Sequence, residues 1–333
     1  MRDVYGSIPI TYPISMQTTF ESPRRSHLHR RAMAKGVQIT DNDIRDIFEP
    51  LARHAQLTTR QLVAFGQRHP VITKARLGEL WHATQDHDAH WLHRVNEDLV
   101  FANHLFAEDL HRLGLNAEAL LIARGTLLSE TWVAASRIGG QSTMPSRIIR
   151  LAHDHMASDI ALDIEIGSRT SGAPFRSHID ILNSAPDATR ALKRPLRFHL
   201  TLDGQKTFTE PDALFAIGNR LFALEADKGT ESIAAVIVPK LHAYREIVAA
   251  GIVDDQFGFD NLTVLFVTLS ETRMRNIMAQ LAKIARNGRS TMFAFCAEPV
   301  FGDFLRTPAP TGRLLTSPWQ RVGNEPLKLG TQA

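Results

Sequence analysis

The sequence contains one cysteine, Cys296, so no internal disulfide can form and the fold owes nothing to an oxidising compartment. No apolar run approaches the roughly 18 residues that a membrane-spanning helix needs. Residues 1–23 lack a basic start followed by an apolar block, and they lack a small-residue cleavage site. No secretory signal is read there, and a cytoplasmic location is expected. Tyrosine is scarce, with only Tyr5, Tyr12 and Tyr244. Excess charge is small: 38 Lys and Arg against 35 Asp and Glu give a net +3, compatible with nucleic-acid binding but not diagnostic of it.

What is present fits a folded protein. The chain has 333 residues, 44% hydrophobic and 22% charged, which suits two domains or one large domain with an appendage and is too apolar for disorder throughout. Charge is unevenly distributed. From Arg24 to Lys35 the row RRSHLHRRAMAK carries five Lys or Arg, two His and no acid. Residues 1–37 therefore read as a basic flexible arm, either a solvated tail or a phosphate-contacting segment that includes Arg30 and Arg31.

Residues 38–140 read as a first folded unit. After Thr40, the residues Ile44, Ile47, Phe48 and Leu51 follow helical spacing, Asp43 stands in the capping-box position, and Pro50 is expected to kink or shorten the helix. Thr58 or Thr59 caps a short second helix. A third helix is expected from Thr73 to Ala83, with Ala75, Leu77, Leu80 and Trp81 inward and Lys74, Arg76 and His82 outward. That pattern suits a helix-turn-helix or winged helix contacting DNA through Arg60, Lys74 and Arg76, and it also suits a plain three-helix bundle. Residues 86–114 read as a His-rich helical stretch without a zinc-binding constellation.

Residues 141–333 read as an α/β unit. A helix is expected over 146–166, then a Gly/Ser/Pro-rich break from Gly167 to Pro174 and a strand over Pro195–Leu202. A hairpin follows, Ala213–Ile217 and Leu221–Ala226, then a helix over 230–249, a strand over Leu262–Leu269, a helix over 271–286 and a strand over Met292–Ala297. This order predicts a mixed sheet flanked by helices, with a coil tail from Phe301.

Chemistry concentrates in the hairpin. Asp212 opens its first strand, and Glu225 and Asp227 lie two apart near the end of its second, hence on one face. Three carboxylates converging at a sheet edge repel unless a cation neutralises them. Their oxygens suit Mg²⁺ or Mn²⁺, with Lys228 or Lys240 available to stabilise charge developing on a phosphate. The same residues are also compatible with an ordinary solvated sheet edge. Thr230 and Glu231 fit a cap for the next helix.

The string PDALF…LFALEADKGTES…K…Y resembles the replication-relaxation family, which includes plasmid mobilisation relaxases of the MobC type. The resemblance spans roughly residues 40–325. It is supported by His153 followed by Asp159 and by the segment from Phe301-Gly302-Asp303 to Pro318-Trp319. It implies an N-terminal winged helix joined to a nuclease-like domain of the PD-(D/E)xK type, with Asp212 as the PD aspartate and Glu225 as the (D/E), both metal ligands. Where that motif has its lysine this chain has Asp227. The lysine then comes from Lys228, which faces the other way on a strict strand, or from Lys240, expected in the first turn of a helix restarted at Pro239. Tyr244, one turn beyond Lys240, is expected to pack or to stack on DNA, with a nucleophilic role as the lesser alternative; His153 or Asp159 is a possible accessory group.

The function implied is metal-dependent, site-specific nicking of double-stranded DNA at a plasmid or mobile-element origin, with plasmid transfer proteins as possible partners. The displaced lysine favours a rival, a non-catalytic DNA-binding regulator of replication or transfer. A general endonuclease of defence or repair is a third reading.

Overall fold

The computed structural model describes residues 36–66, 68–82, 90–95, 108–127, 144–202 and 204–332. Arg30 and Arg31, with all of residues 1–35 of the basic arm, lie outside the described residues. The helix expected after Thr40 forms as α1 (41–54), closed by a reciprocal capping box in which Thr40 and Asp43 bond each other's backbone N–H. Pro50 does not cut it short. Residues Ile44–Phe48 make a π turn immediately before the α segment Glu49–His54, and the wider turn accommodates a ring that would otherwise strike the preceding turn's carbonyl.

Next come β1 (Leu57–Thr58), α2 (Thr59–Phe65), capped by Thr58, and α3 (Pro70–His82). The inward stripe of α3 is Thr73, Leu77, Leu80 and Trp81, whereas Ala75, expected inside, is exposed. The helical reading of 86–114 is corrected. Its described residues include β2 (Leu92–Arg94) and β3 (Leu110–Leu113), and β3 pairs antiparallel with both β1 and β2. Strand pairing across 52 or more residues of separation outweighs local helix propensity here, because it lets Leu92 and Leu110 reach the interior. The element order is thus helix, strand, helix, helix, strand, strand, followed by α4 (Leu115–Ala123). Ile47, Phe48, Leu51, Leu62, Leu77 and Leu80 form its core.

Helix α5 (Met144–Ser171) runs into the expected break and ends inside it, so the break is confined to residues 172–174. Gly167 stays helical because the chain crosses it. A Cβ there would meet the Gly312 carbonyl oxygen at 2.3 Å, so the glycine marks a close approach and not a helix end. Ile160 and Ile164 of α5 pack on one face of a seven-stranded sheet. Its polar residues fasten other parts to that sheet: Asp159 accepts from Gln61 Nε2 at 2.5 Å, and Glu165 pairs with Arg53 at 2.8 Å and with His54 at 2.7 Å.

The sheet is built from β4 (Phe175–Ser177), β7 (Ala213–Ile217), β8 (Arg220–Asp227), β9 (Leu262–Thr268), β10 (Phe293–Ala297), β11 (Trp319–Arg321) and β12 (Asn324–Leu327), in the order β12-β11-β10-β9-β8-β7-β4. Only β8/β9 and β9/β10 are parallel, so the mixed sheet expected from the sequence is present. The strand expected over Pro195–Leu202 forms as β5 (Phe198–Leu202), but it pairs only with β6 (Gln205–Thr209) in a separate ribbon. The place beside β7 is taken by β4, followed by α6 (His178–Ser184) and the short α7 (Asp187–Arg190).

The opposite face is covered by α8, a π turn Ile233–Ile237 continuing into Val238–Ala249, then α9 (Ile252–Phe257) and α10 (Glu271–Ile284). Leu241, Tyr244, Ile277 and Leu281 pack there against Ala223, Val264 and Phe266. Every residue of β9 is buried, as a parallel strand covered on both faces requires.

The tail is not coil. It adds β11 and β12 to the sheet, with Trp319 buried and its Nε1 donating to Leu314 O at 2.9 Å. Asp163 holds the loop ahead of it by accepting three backbone N–H bonds, from Thr311 at 2.6 Å, Gly312 at 2.8 Å and Leu314 at 2.9 Å. Among the described residues, no helix is long and apolar enough to cross a membrane.

Candidate active site

Antiparallel pairing of Ala213 with Leu224 brings Asp212 opposite Glu225 at the end of the β7–β8 hairpin. Asp212 Oδ2 accepts from Ala226 N at 2.8 Å, which fixes its carboxylate across the strand pair. Glu225 points to α8, where Lys240 Nζ donates to Oε2 at 2.6 Å and the Tyr244 hydroxyl donates to Oε1 at 2.5 Å. Lys240 and Tyr244 are one turn apart, so one helix face presents both donors. From α5, His153 Nε2 lies 3.4 Å from Asp212 Oδ2. Four elements thus meet at Asp212, Glu225, Lys240 and His153.

Burial sets the charge balance. It pushes the Glu225 carboxyl up to about 7, and the neighbouring Asp212 carboxylate adds repulsion that the Lys240 and Tyr244 donors only partly offset. The Asp212 carboxyl is likewise raised by burial, against the pull of His153 and Lys240. Burial opposes the charge on Lys240, yet Glu225 and Asp212 outweigh it and hold the ammonium above its ordinary range. His153 is raised to about 9 by Asp154 beside it, and by Asp212, despite burial. Near neutral pH the cluster therefore holds a lysinium, a histidinium and two crowded carboxyls.

Other expected residues lie elsewhere. Asp227 shares the face of Glu225, but the Arg273 guanidinium of α10 pairs with both its oxygens and Gly229 N adds a third bond, so it does not join the pair. Among the described residues no three His, Cys, Asp or Glu side chains group closely enough to hold a metal ion. The three-carboxylate arrangement is thereby corrected to two. Lys228 bonds neither Asp212 nor Glu225; its ammonium lies 5.9 Å from the Phe304 ring, and burial lowers its pKa. The lysine at the carboxylates is Lys240. It lies about two turns inside a helix that starts at residue 233, so its partner is Glu225 and not a helix terminus. That helix is capped by Ser232, whose side chain accepts from Ala235 N at 3.2 Å, while Thr230 and Glu231 remain exposed outside it.

Tyr244 is fully buried, so stacking on DNA is ruled out; it orients Glu225. Asp159 is buried between α2 and α5, with its carboxyl pushed up by burial, away from Asp212. In the first part of the fold, Arg76 turns inward onto Asp43 at 2.7 Å. Burial would raise the Asp43 carboxyl, but its bonds from Arg76, Thr40 and Arg68 hold it at about 2. This overturns the expectation of Arg76 left outward. Arg60 pairs with Glu108 at 2.7 Å while half-exposed, and Lys74 is exposed.

A cleft of about 930 Å³ runs from Arg53 and His54 of α1, past Arg112 and Arg150, to Asp212 and Lys228. Sequence reading missed Arg273, which withdraws Asp227, and the cleft arginines Arg112, Arg150 and Arg194. None of them stands in a motif, and only tertiary contacts define their positions. Residues 48–262 match the family described as replication-relaxation, well over half of the 333. The chain belongs to the replication-relaxation family. The matched span of this replication-relaxation protein includes His153, Asp212, Glu225, Lys240 and Tyr244 and stops before Arg273 and β10–β12. Family membership suggests a role in replication or transfer of a plasmid or mobile element. No curated protein and no solved structure gives a significant match.

Proposed function

We propose that this replication-relaxation protein binds double-stranded DNA at a plasmid or mobile-element origin and nicks one strand at Asp212, Glu225 and Lys240, in the manner of a MobC-type relaxase. The observation that carries this reading is the meeting of two carboxylates and one lysine, with Asp212 of that group also lining a cleft that carries Arg53, Arg112, Arg150 and Arg194. The first part, with its order helix, strand, helix, helix, strand, strand, is read as a winged helix, and the seven-stranded part as a PD-(D/E)xK nuclease domain.

Asp212 and Glu225 offer a hard cation two oxygen donors; burial, which raises both carboxyls, penalises their charged forms, and a divalent ion would offset that penalty. Mg²⁺ or Mn²⁺ bound by these two would supply water activation and neutralisation of phosphate charge. Lys240 is positioned to stabilise the phosphate oxygen that gains charge, and Tyr244 to keep Glu225 oriented. Tyr244 cannot attack a phosphorus from its buried position, so the step is read as hydrolysis and not as covalent transfer. Origin recognition is assigned to the first part and to the basic arm with Arg30 and Arg31, and plasmid transfer proteins are the partners that such a role requires. Expression in the cytoplasm follows from the same role.

One observation favours the non-catalytic regulator: both Glu225 oxygens are already occupied, by Lys240 and Tyr244. The deciding experiment is nicking of a supercoiled plasmid carrying the DNA that flanks this gene, with Mg²⁺ or Mn²⁺. Wild type should give open circles only with metal, and Asp212→Ala, Glu225→Ala and Lys240→Ala should bind that DNA while losing activity by about a hundredfold or more. Binding by wild type without nicking in either metal gives the regulator the better claim.

A further inference from the structure

The β5–β6 ribbon stands apart from the main sheet yet packs on α8, the helix that carries Lys240 and Tyr244. Its inner face buries Phe198 and Thr209. Its outer face presents His199, Thr201, Lys206 and Phe208, which are cross-strand partners two by two: His199 with Phe208, Thr201 with Lys206. Phe208 is 52% exposed, an unusual cost for a ring on an isolated ribbon. The Arg197 guanidinium lies 3.8 Å from its ring centre, and the His199 ring 6.4 Å away. Lys206 and Lys193 make no ion pair among the described residues, and no carboxylate of the described ribbon lies on that outer face.

The base of the ribbon is tied to the candidate site. Arg194 and Arg197 both bond Glu210, at 3.0 and 2.8 Å, and Glu210 precedes Asp212 by two residues. Arg194, Glu210 and Asp212 line the same cleft. An exposed ring beside Arg197 and Lys206, on a ribbon whose flanking residues Arg194 and Glu210 line the cleft that holds Asp212, has the chemistry of a stacking platform for an unpaired nucleic-acid strand. Every base offers a π face to the ring, and Lys206 follows the phosphates. Duplex DNA keeps its bases stacked on each other and offers Phe208 no such face.

We propose that the β5–β6 ribbon binds an unpaired DNA strand by stacking a base on Phe208, on the face away from Arg197, with Lys206 on its phosphates, and leads that strand into the cleft at Asp212. The inference rests on the DNA reading above and adds that the strand is handled single-stranded beside the site. It assigns to Phe208 and Lys206 a binding role and no part in bond cleavage.

The test measures fluorescence anisotropy of a labelled oligothymidylate, and of a duplex carrying the gene's flanking DNA, against wild type, Phe208→Ala, Phe208→Trp and Lys206→Glu. Phe208→Ala is expected to weaken single-strand binding by about 5- to 100-fold, with duplex binding changed less than about twofold. Phe208→Trp should restore it, and Lys206→Glu should weaken it with a shallower salt dependence. Because Phe208 and Lys206 are exposed, thermal melts of the variants should superimpose on wild type, which separates a binding loss from misfolding. Equal loss on both probes would make the ribbon a duplex reader and overturn the proposal, as would unchanged single-strand binding by Phe208→Ala. If wild type binds neither probe, the DNA reading itself fails; if it binds the duplex and not the single strand, only the ribbon inference does.

Discussion

Replacing Tyr244 by Phe removes one oxygen from a fully buried position and leaves the packing volume nearly unchanged. The lost group donates to Glu225 Oε1 at 2.5 Å, and Lys240 remains the other donor to that carboxylate. A hydrogen bond to a charged acceptor contributes about 1.5–3 kcal/mol, and one to a neutral acceptor about 1 kcal/mol. Glu225 has its carboxyl raised to about 7 from an ordinary 4.5, so the folded protein holds this proton more tightly than the unfolded chain does. The stability this group contributes is therefore full below an unfolded value of about 4.5 and is lost as pH rises through about 7. Removing the Tyr244 donor disfavours the carboxylate further. Tyr244→Phe should then cost about 1 kcal/mol near pH 5, where Glu225 is protonated, and about 2–3 kcal/mol near pH 8, where it is ionised. Urea denaturation of wild type and variant at the two pH values reads the difference directly. An equal cost at both, or a smaller one near pH 8, would refute the account of Glu225 as a raised carboxyl held by Tyr244.

Two further variants test the neighbouring geometry. His153 has its pKa raised to about 9, so its contribution to stability is full below an unfolded value of about 6.5 and is lost as pH rises through about 9. Because the ring is about one-third exposed, His153→Gln should cost only about 1 kcal/mol near pH 6 and nothing near pH 10, measured by denaturation across that range; a cost that grows with pH contradicts the pairing with Asp154 and Asp212. Gly167→Ala introduces a Cβ at 2.3 Å from Gly312 O and 2.8 Å from Leu315 Cβ, which should destabilise by about 3 kcal/mol and speed hydrogen exchange in residues 311–329. Wild-type protection of that segment in the variant would mean that the helix and the tail do not cross closely.

Much of the architecture follows from local pattern. The capping box at Thr40, the hairpin at Gly218-Asn219, and the alternation of helix and apolar strand from residue 230 to 297 are set by nearest neighbours, and each is present close to its expected bounds. The candidate site was legible to the same extent. Asp212 and Glu225 sit at the ends of paired strands, so two-residue periodicity and a tight turn suffice to bring them opposite each other.

What local pattern did not determine was every feature that depends on a distant partner. The His-rich segment forms strands because β1, more than 50 residues away, supplies an edge to pair with. Helix α5 runs past Gly167 because Gly312 arrives from 145 residues further on, and the Pro- and Gly-rich tail becomes two strands because Asp163 and the sheet edge hold it. In the site, strand alternation assigned Asp227 to the face of Glu225 but gave no sign of Arg273, whose guanidinium claims it. The choice between Lys228 and Lys240 likewise fell to the packing of α8 on the sheet. By itself the sequence determined which residues share a strand, a turn or a helix face, since those follow from backbone geometry over a few residues. Only the tertiary structure decided which charges meet, because burial and a partner brought in from elsewhere in the chain set whether a carboxylate stays in the site or is paired away.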